Sequence, residues 1–274
     1  MPLLSAHLLI SHGSRDSRPQ AAMDNLADLV RTQLGTEDAL WTPNYREVSS
    51  SQESNALQKQ KGDRVVLVSS SWHPLVGTAA LELAPLPLHQ QICEFGSQAL
   101  TSGCSRLQLL PLFLLPGVHV MEDIPAEVAT AQEQLGNAIK LNLRPHLGAH
   151  PGLKPLLANQ INLEASAALV LLSHGSRRPG SNTPVEAVAE YLGGVAAYWS
   201  VSPSLEEQIT ALAEAGQQRI AILPYFLFAG GITDAIAQTV AELQAQFPHL
   251  QLSLHEPIGA SMELANLVVD LTEV

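Results

Sequence analysis

LLISHGSRDSRPQ, Leu8 to Gln20, joins a short apolar run to a His-Gly pair and then to a polar, charged segment. Its centre returns far down the chain in LVLLSHGSRRPGSN, Leu169 to Asn182. In both copies Ser-His-Gly-Ser-Arg follows the apolar run directly. An apolar run of this length reads as a buried strand, and glycine after the histidine lets the backbone turn tightly at its end. A strand end built twice in the same way points to an internal duplication.

The second copy is the easier to follow outward. A strand at 167–173 precedes a helix at Pro184–Leu192, stopped by Gly193-Gly194. A strand follows at Val195–Val201. Ser204 then opens a helix with a capping box to Glu207, carrying Leu205, Ile209 and Leu212 on one face and closed by Gly216. A third strand is read at Arg219–Phe228, a helix capped by Asp234 with Ile236, Val240 and Leu243 inward, a fourth strand at Leu250–Leu254, and a last helix from Ser261. Strands alternating with helices imply a parallel sheet covered on both faces.

The first half repeats the order. Strand Leu8–Ser11 leads to a helix with Met23, Leu26, Leu29, Val30 and Leu34 at helical spacing, closed by Gly35. Strands are read near Thr78–Leu83, at Leu107–Leu115 and at Ile139–Leu143. Between them lie a helix at Leu88–Leu100 and one capped by Asp123; a short helix follows Pro151. LPLFLLPG in the first half matches LPYFLFAG in the second. From His12 to Pro111 is 99 positions (111 − 12), but from His174 to Pro224 only 50 (224 − 174), so the first half carries an insertion. It falls near 36–74, is read as a partly disordered surface segment, and has room for one added strand at VVLVSS. The expected architecture is α/β: two tandem flavodoxin-like parallel-sheet domains, 1–163 and 164–274, with a cleft between them.

The composition, 46% hydrophobic over 274 residues, suffices for such cores, and a formal net charge of −12 disfavours nucleic acid as a partner. No stretch has the roughly 18 apolar residues of a membrane span, and the N-terminus lacks a signal pattern. Cys93 and Cys104 form no metal or redox motif. A soluble cytoplasmic protein is expected.

Ligands of open parallel sheets bind at the carboxyl ends of the strands. That places His12 after the first strand, Glu82 near the end of the second and His119, in LLPGVHVMED, just past the third, with Gly117 giving the turn before it. Two imidazoles and a carboxylate can hold a divalent first-row metal with coordination positions left open; the carboxylate can alternatively take protons. A histidine at a strand end can also be merely structural. The second half keeps His174 but has Gly231 or Ile232 where His119 stands and Trp199 or Ser200 where Glu82 stands. One working site is therefore expected, in the first half, with His174 a secondary candidate.

At SHGSRDSR, ALELAPLPL and PLFLLPGVHVMEDIPAEV the chain resembles the class II chelatases, in particular the two-domain sirohydrochlorin chelatases of the CbiX/SirB type. The resemblance implies insertion of Fe²⁺ or Co²⁺ into sirohydrochlorin, on the route to siroheme or cobalamin. It implies metal binding by His12 and His119 and proton removal helped by Glu82. The family's substrate carries eight carboxylates, so Arg15, Arg18, Arg177 and Arg178, which follow the two SHG turns, become candidate substrate contacts. The metal is a substrate and no tightly bound cofactor is expected, in keeping with the absence of dinucleotide and P-loop fingerprints. Iron, cobalt and nickel all accept imidazole, with iron the expected choice. A monomer is expected, since duplication can replace a homodimer. Two other readings use the same residues: a non-catalytic metal or tetrapyrrole carrier, and a histidine phosphotransferase. The second lacks the arginine that such enzymes place before His-Gly, where this chain has Ser11 and Ser173.

Overall fold

The computed structural model describes residues 4–40, 74–161 and 167–273. In the first half these form β1 (Ser5–Ser11), α1 (Ser17–Leu40), β2 (Val76–Ala80), α2 (Leu88–Thr101), β3 (Arg106–Pro111), α3 (Ile124–Leu135), β4 (Lys140–Leu143) and α4 (Leu153–Gln160). The second half forms β5 (Ala168–Ser173), α5 (Thr183–Tyr191), β6 (Val195–Tyr198), α6 (Leu205–Glu214), β7 (Arg219–Pro224), α7 (Gly231–Gln246), β8 (Gln251–Leu254) and α8 (Met262–Glu273). The strands make two four-stranded sheets, ordered β2-β1-β3-β4 and β6-β5-β7-β8, and every recorded pairing is parallel. In each sheet the strand that ends in Ser-His-Gly is central.

The strands look uniformly apolar because both faces of each sheet are buried. Successive side chains alternate between faces. Ala6, Leu8, Ile10, Leu107 and Leu109 face an outer core with Ile92 of α2 and Ile124 and Val128 of α3. Val170, Leu172, Ile220 and Ile222 face a matching outer core with Ile209 of α6 and Ile236 and Val240 of α7. The remaining faces line one shared cluster: Leu9 and Leu110 belong to it with Leu169, Leu171 and Leu223, and Met23 and Leu26 of α1 and Leu264 and Val268 of α8 fill it. Burying each such side chain contributes roughly 1.5–3 kcal/mol, so the halves are joined by a core, not by a linker alone.

The closing helices turn toward the opposite half. α8 follows β8 yet packs on α1 and β3, and Arg144 Nε donates to the Leu271 carbonyl at 2.8 Å. From α4, Gln160 Nε2 donates to the Ile258 carbonyl at 2.8 Å, and Lys154 Nζ lies 5.7 Å from the ring centroid of Tyr191. No described helix is long and apolar enough to cross a membrane.

Several elements depart from the expected bounds. β3 and β7 end at Pro111 and Pro224, and one residue further on Leu112 N and Tyr225 N still donate to the Ile10 and Leu172 carbonyls of the neighbouring strands. β2 stops at Ala80 and β6 at Tyr198. α1 continues through Gly35 to Leu40. Neither expected aspartate cap forms: Asp123 has helical dihedrals and no capping bond, and α7 begins at Gly231, three residues before Asp234. The Ser204–Glu207 capping box does form. The VVLVSS segment and the expected division at 163/164 lie outside the described residues.

Candidate metal centre

β1 delivers His12 to the carboxyl edge of the first sheet, and the next residue fixes the geometry there. Gly13 has φ +98, and a Cβ on it would lie 2.0 Å from the Glu82 carbonyl oxygen. Only glycine permits this approach. It lets the loop after β2 fold against the β1 turn, with Glu82 N donating to the His12 carbonyl at 2.9 Å. Because β2 ends at Ala80, Glu82 is carried on that loop. Leu83 beside it has φ +59, the only left-handed non-glycine backbone among the described residues, and its side chain is exposed.

After β3 the chain enters a single π-helical turn, His119–Asp123, before α3. The Gly117 carbonyl accepts from Val120 N and Met121 N and so anchors the start of that turn. Gly117 itself has no positive φ, and a Cβ on it would meet nothing, so the tight glycine turn expected there is not what places His119.

These three loops bring the side chains together. The His12 and His119 ring centroids are 4.9 Å apart at an interplanar angle of 83°. His12 Nε2 lies 3.9 Å from Glu82 Oε2. One donor atom from each of His12, Glu82 and His119 falls within 4.8 Å of the others, the one such metal-capable cluster among the described residues. Phe113 sits 6.4 Å from the His12 ring and 6.3 Å from the His119 ring, against both imidazoles. Side chains of His12 and Glu82 are about half exposed (52% and 50%), so the cluster opens to solvent on one side. A metal with imidazole nitrogens at about 2.1 Å would need only a modest closing of the three side chains. Three protein donors leave positions for water or for a ligand's nitrogens.

The two imidazoles are held unequally. Nδ1 of His12 faces the Gly13 carbonyl at a long 3.4 Å, whereas Nδ1 of His119 lies 2.7 Å from Asp123 Oδ2. In His119 the nitrogen left for a metal is therefore Nε2.

In the second half the strand register resolves the equivalences. Trp199 N and Ser200 N donate to the Ser173 and His174 carbonyls, as Leu81 N and Glu82 N do to Ser11 and His12, so Ser200 stands where Glu82 does. Counting from the paired prolines Pro111 and Pro224, Ile232 takes the place of His119. His174 is exposed and has neither a second imidazole nor a carboxylate in a metal-capable group.

The arginines divide. Arg15, Arg177 and Arg178 are exposed and make no ion pair among the described residues. Arg18 is engaged within the chain. It bridges Asp16 (Nη2–Oδ2 2.6 Å) and Asp234 of α7 (Nη2–Oδ2 2.5 Å, Nη1–Oδ1 3.0 Å), tying the β1 turn to the second half. These bonds hold the Asp16 carboxyl down at about 2 and lower that of Asp234.

The description of a known family matches this chain over residues 67–163 and 168–273, once in each half, and that family is CbiX. The chain belongs to the CbiX family. Among relatives of this CbiX chain, a sirohydrochlorin cobaltochelatase of Priestia megaterium is 24% identical over 73% of this chain and 69% of its own. A sirohydrochlorin ferrochelatase of the same organism is 26% identical over 59% of this chain and 66% of its own. SirB from Bacillus subtilis, solved with Fe³⁺, superposes with a TM-score of 0.70 at 18% identity over 99% of this chain and 95% of its own, which establishes the shared two-domain fold. Two features of this cluster were missed in the sequence: the π turn and the Asp123 contact. The four-residue spacing from His119 to Asp123 was the available signal, but an aspartate before a helix reads first as a cap.

Proposed function

We propose that this CbiX protein is a sirohydrochlorin chelatase that inserts a divalent metal into the macrocycle. The observation that carries the proposal is the convergence of His12, Glu82 and His119 from three separate loops onto one half-open cluster. Insertion exchanges two pyrrole N–H protons for one M²⁺. The imidazoles replace the ion's waters without adding negative charge, so the metal is held and can still leave. Glu82 is the acceptor for pyrrole protons, since it lies at the metal position and is solvent-connected. Exposed Arg15, Arg177 and Arg178 would meet the substrate's carboxylates. Arg18, already paired twice, serves instead as a strut between the halves.

Relatives named for cobalt and for iron both match, and an imidazole–carboxylate set accepts either ion. We take Fe²⁺ as the cellular substrate and Co²⁺ as a competent one. The shared central core supports a monomer as the working unit, in the cytoplasm.

Absorbance of sirohydrochlorin mixed anaerobically with protein and Fe²⁺ or Co²⁺ tests this. The intact protein should accelerate insertion. His12→Ala and His119→Ala should each lose about 100-fold or more, while His174→Ala stays within about threefold. Binding of metal or tetrapyrrole without acceleration would replace this reading with a carrier.

A further inference from the structure

His119 and Asp123 form a unit that the second half lacks entirely. From Pro111 at the end of β3 to the first buried residue of α3, Ile124, is 13 positions (124 − 111). From Pro224 to the corresponding Ile236 of α7 is 12 (236 − 224). The helices then run in register, with Ile124, Val128 and Ala131 matching Ile236, Val240 and Leu243. The first half thus carries one extra residue, and the π turn His119–Asp123 is where it is absorbed; α7 has no such turn. A π turn is a one-residue insertion into an α-helix and is frequent at functional sites. Ile232 stands for His119 and, in helix register, Ala235 for Asp123, so imidazole and carboxylate are missing together from the half that has no metal-capable group among the described residues.

Asp123 is not occupied by a structural role. It makes no capping bond at α3, and its one recorded side-chain hydrogen bond is with His119 Nδ1, at 2.7 Å. An imidazole bonded this way keeps its proton on Nδ1, presents the Nε2 lone pair, and is made a stronger donor by the negative charge behind it. His12 has only the long contact to the Gly13 carbonyl.

We infer that Asp123 is a positioning residue of the metal centre, fixing the tautomer and orientation of His119 so that Nε2 receives the metal. The inference rests on the proposed chelatase site. It is tested without tetrapyrrole, by titrating metal-free full-length protein with Co²⁺ and following the visible absorption of the bound ion. Asp123→Ala should weaken Co²⁺ binding 10- to 100-fold, the usual effect of losing such a partner. Asp123→Asn, which keeps an acceptor oxygen but loses the charge, should recover only part of that loss. ¹⁵N NMR of His119 at mildly alkaline pH should show the Nδ1-protonated form in the intact protein and a return toward the Nε2-protonated form in the Ala variant. Undiminished affinity in Asp123→Ala beside a weakened His119→Ala overturns this inference alone. Undiminished affinity in His119→Ala overturns the proposed metal site and this inference together.

Discussion

His7 lies five positions before His12 on β1 and shows how differently one strand treats two imidazoles. His7 is buried between the sheets, its Nδ1 has no hydrogen-bond partner among the described residues, and burial pushes its pKa down from 6.5 to about 4. The folded protein therefore binds fewer protons than the unfolded chain between those values, and stability rises with pH across that window. Above pH 6.5 the imidazole is neutral in both states and adds no pH-dependent term. As pH falls to 4 the unfolded state gains the proton and roughly 3 kcal/mol of stability is lost. Urea unfolding at pH 7 and pH 4.5 should show that loss, and His7→Leu should remove most of its His-linked part. An equal acid slope in the variant would contradict the assignment. The site histidines were legible by a positional rule: a polar side chain at the carboxyl end of a buried strand faces the ligand edge. Asp123 was not legible in that way, because its role depends on the one extra residue that turns it toward His119.

At the scale of elements, the strands and most helices could be read from apolar runs and helical spacing, whereas their ends could not. LPLFLL continues as apolar sequence past Pro111, so hydrophobicity alone extends β3, which ends at that proline. That early stop frees Phe113 to lie against both imidazoles. The π turn was invisible because a one-residue excess has no composition of its own and emerges only when the two halves are aligned on their buried positions. Deleting the exposed Met121 should convert the turn to ordinary helix, as in α7. The variant should keep its circular dichroism and cooperative unfolding but bind Co²⁺ as weakly as His119→Ala. Wild-type Co²⁺ affinity after the deletion would show that the π turn does not place the ligand.

For the whole molecule, duplication was readable from SHGSR and its neighbours, and the two sheets share strand order and Ser-His-Gly placement. How the halves meet was not readable. The strands looked evenly apolar, which told that both faces are covered but not that one face of each sheet lines a core shared with the other half. α8 packing on α1 and the Arg18–Asp234 bridge are long-range pairings with no local signal. Together they fit the proposed arrangement, in which the second half supports a centre whose donors all come from the first. Anomalous scattering from crystals soaked in Co²⁺ measures that asymmetry directly. The account predicts one strong protein-bound peak, about 2.1 Å from His119 Nε2 and from a His12 nitrogen, with Glu82 beside it and no peak at His174. A principal peak at His174, or none at the His12–His119 pair, would contradict it.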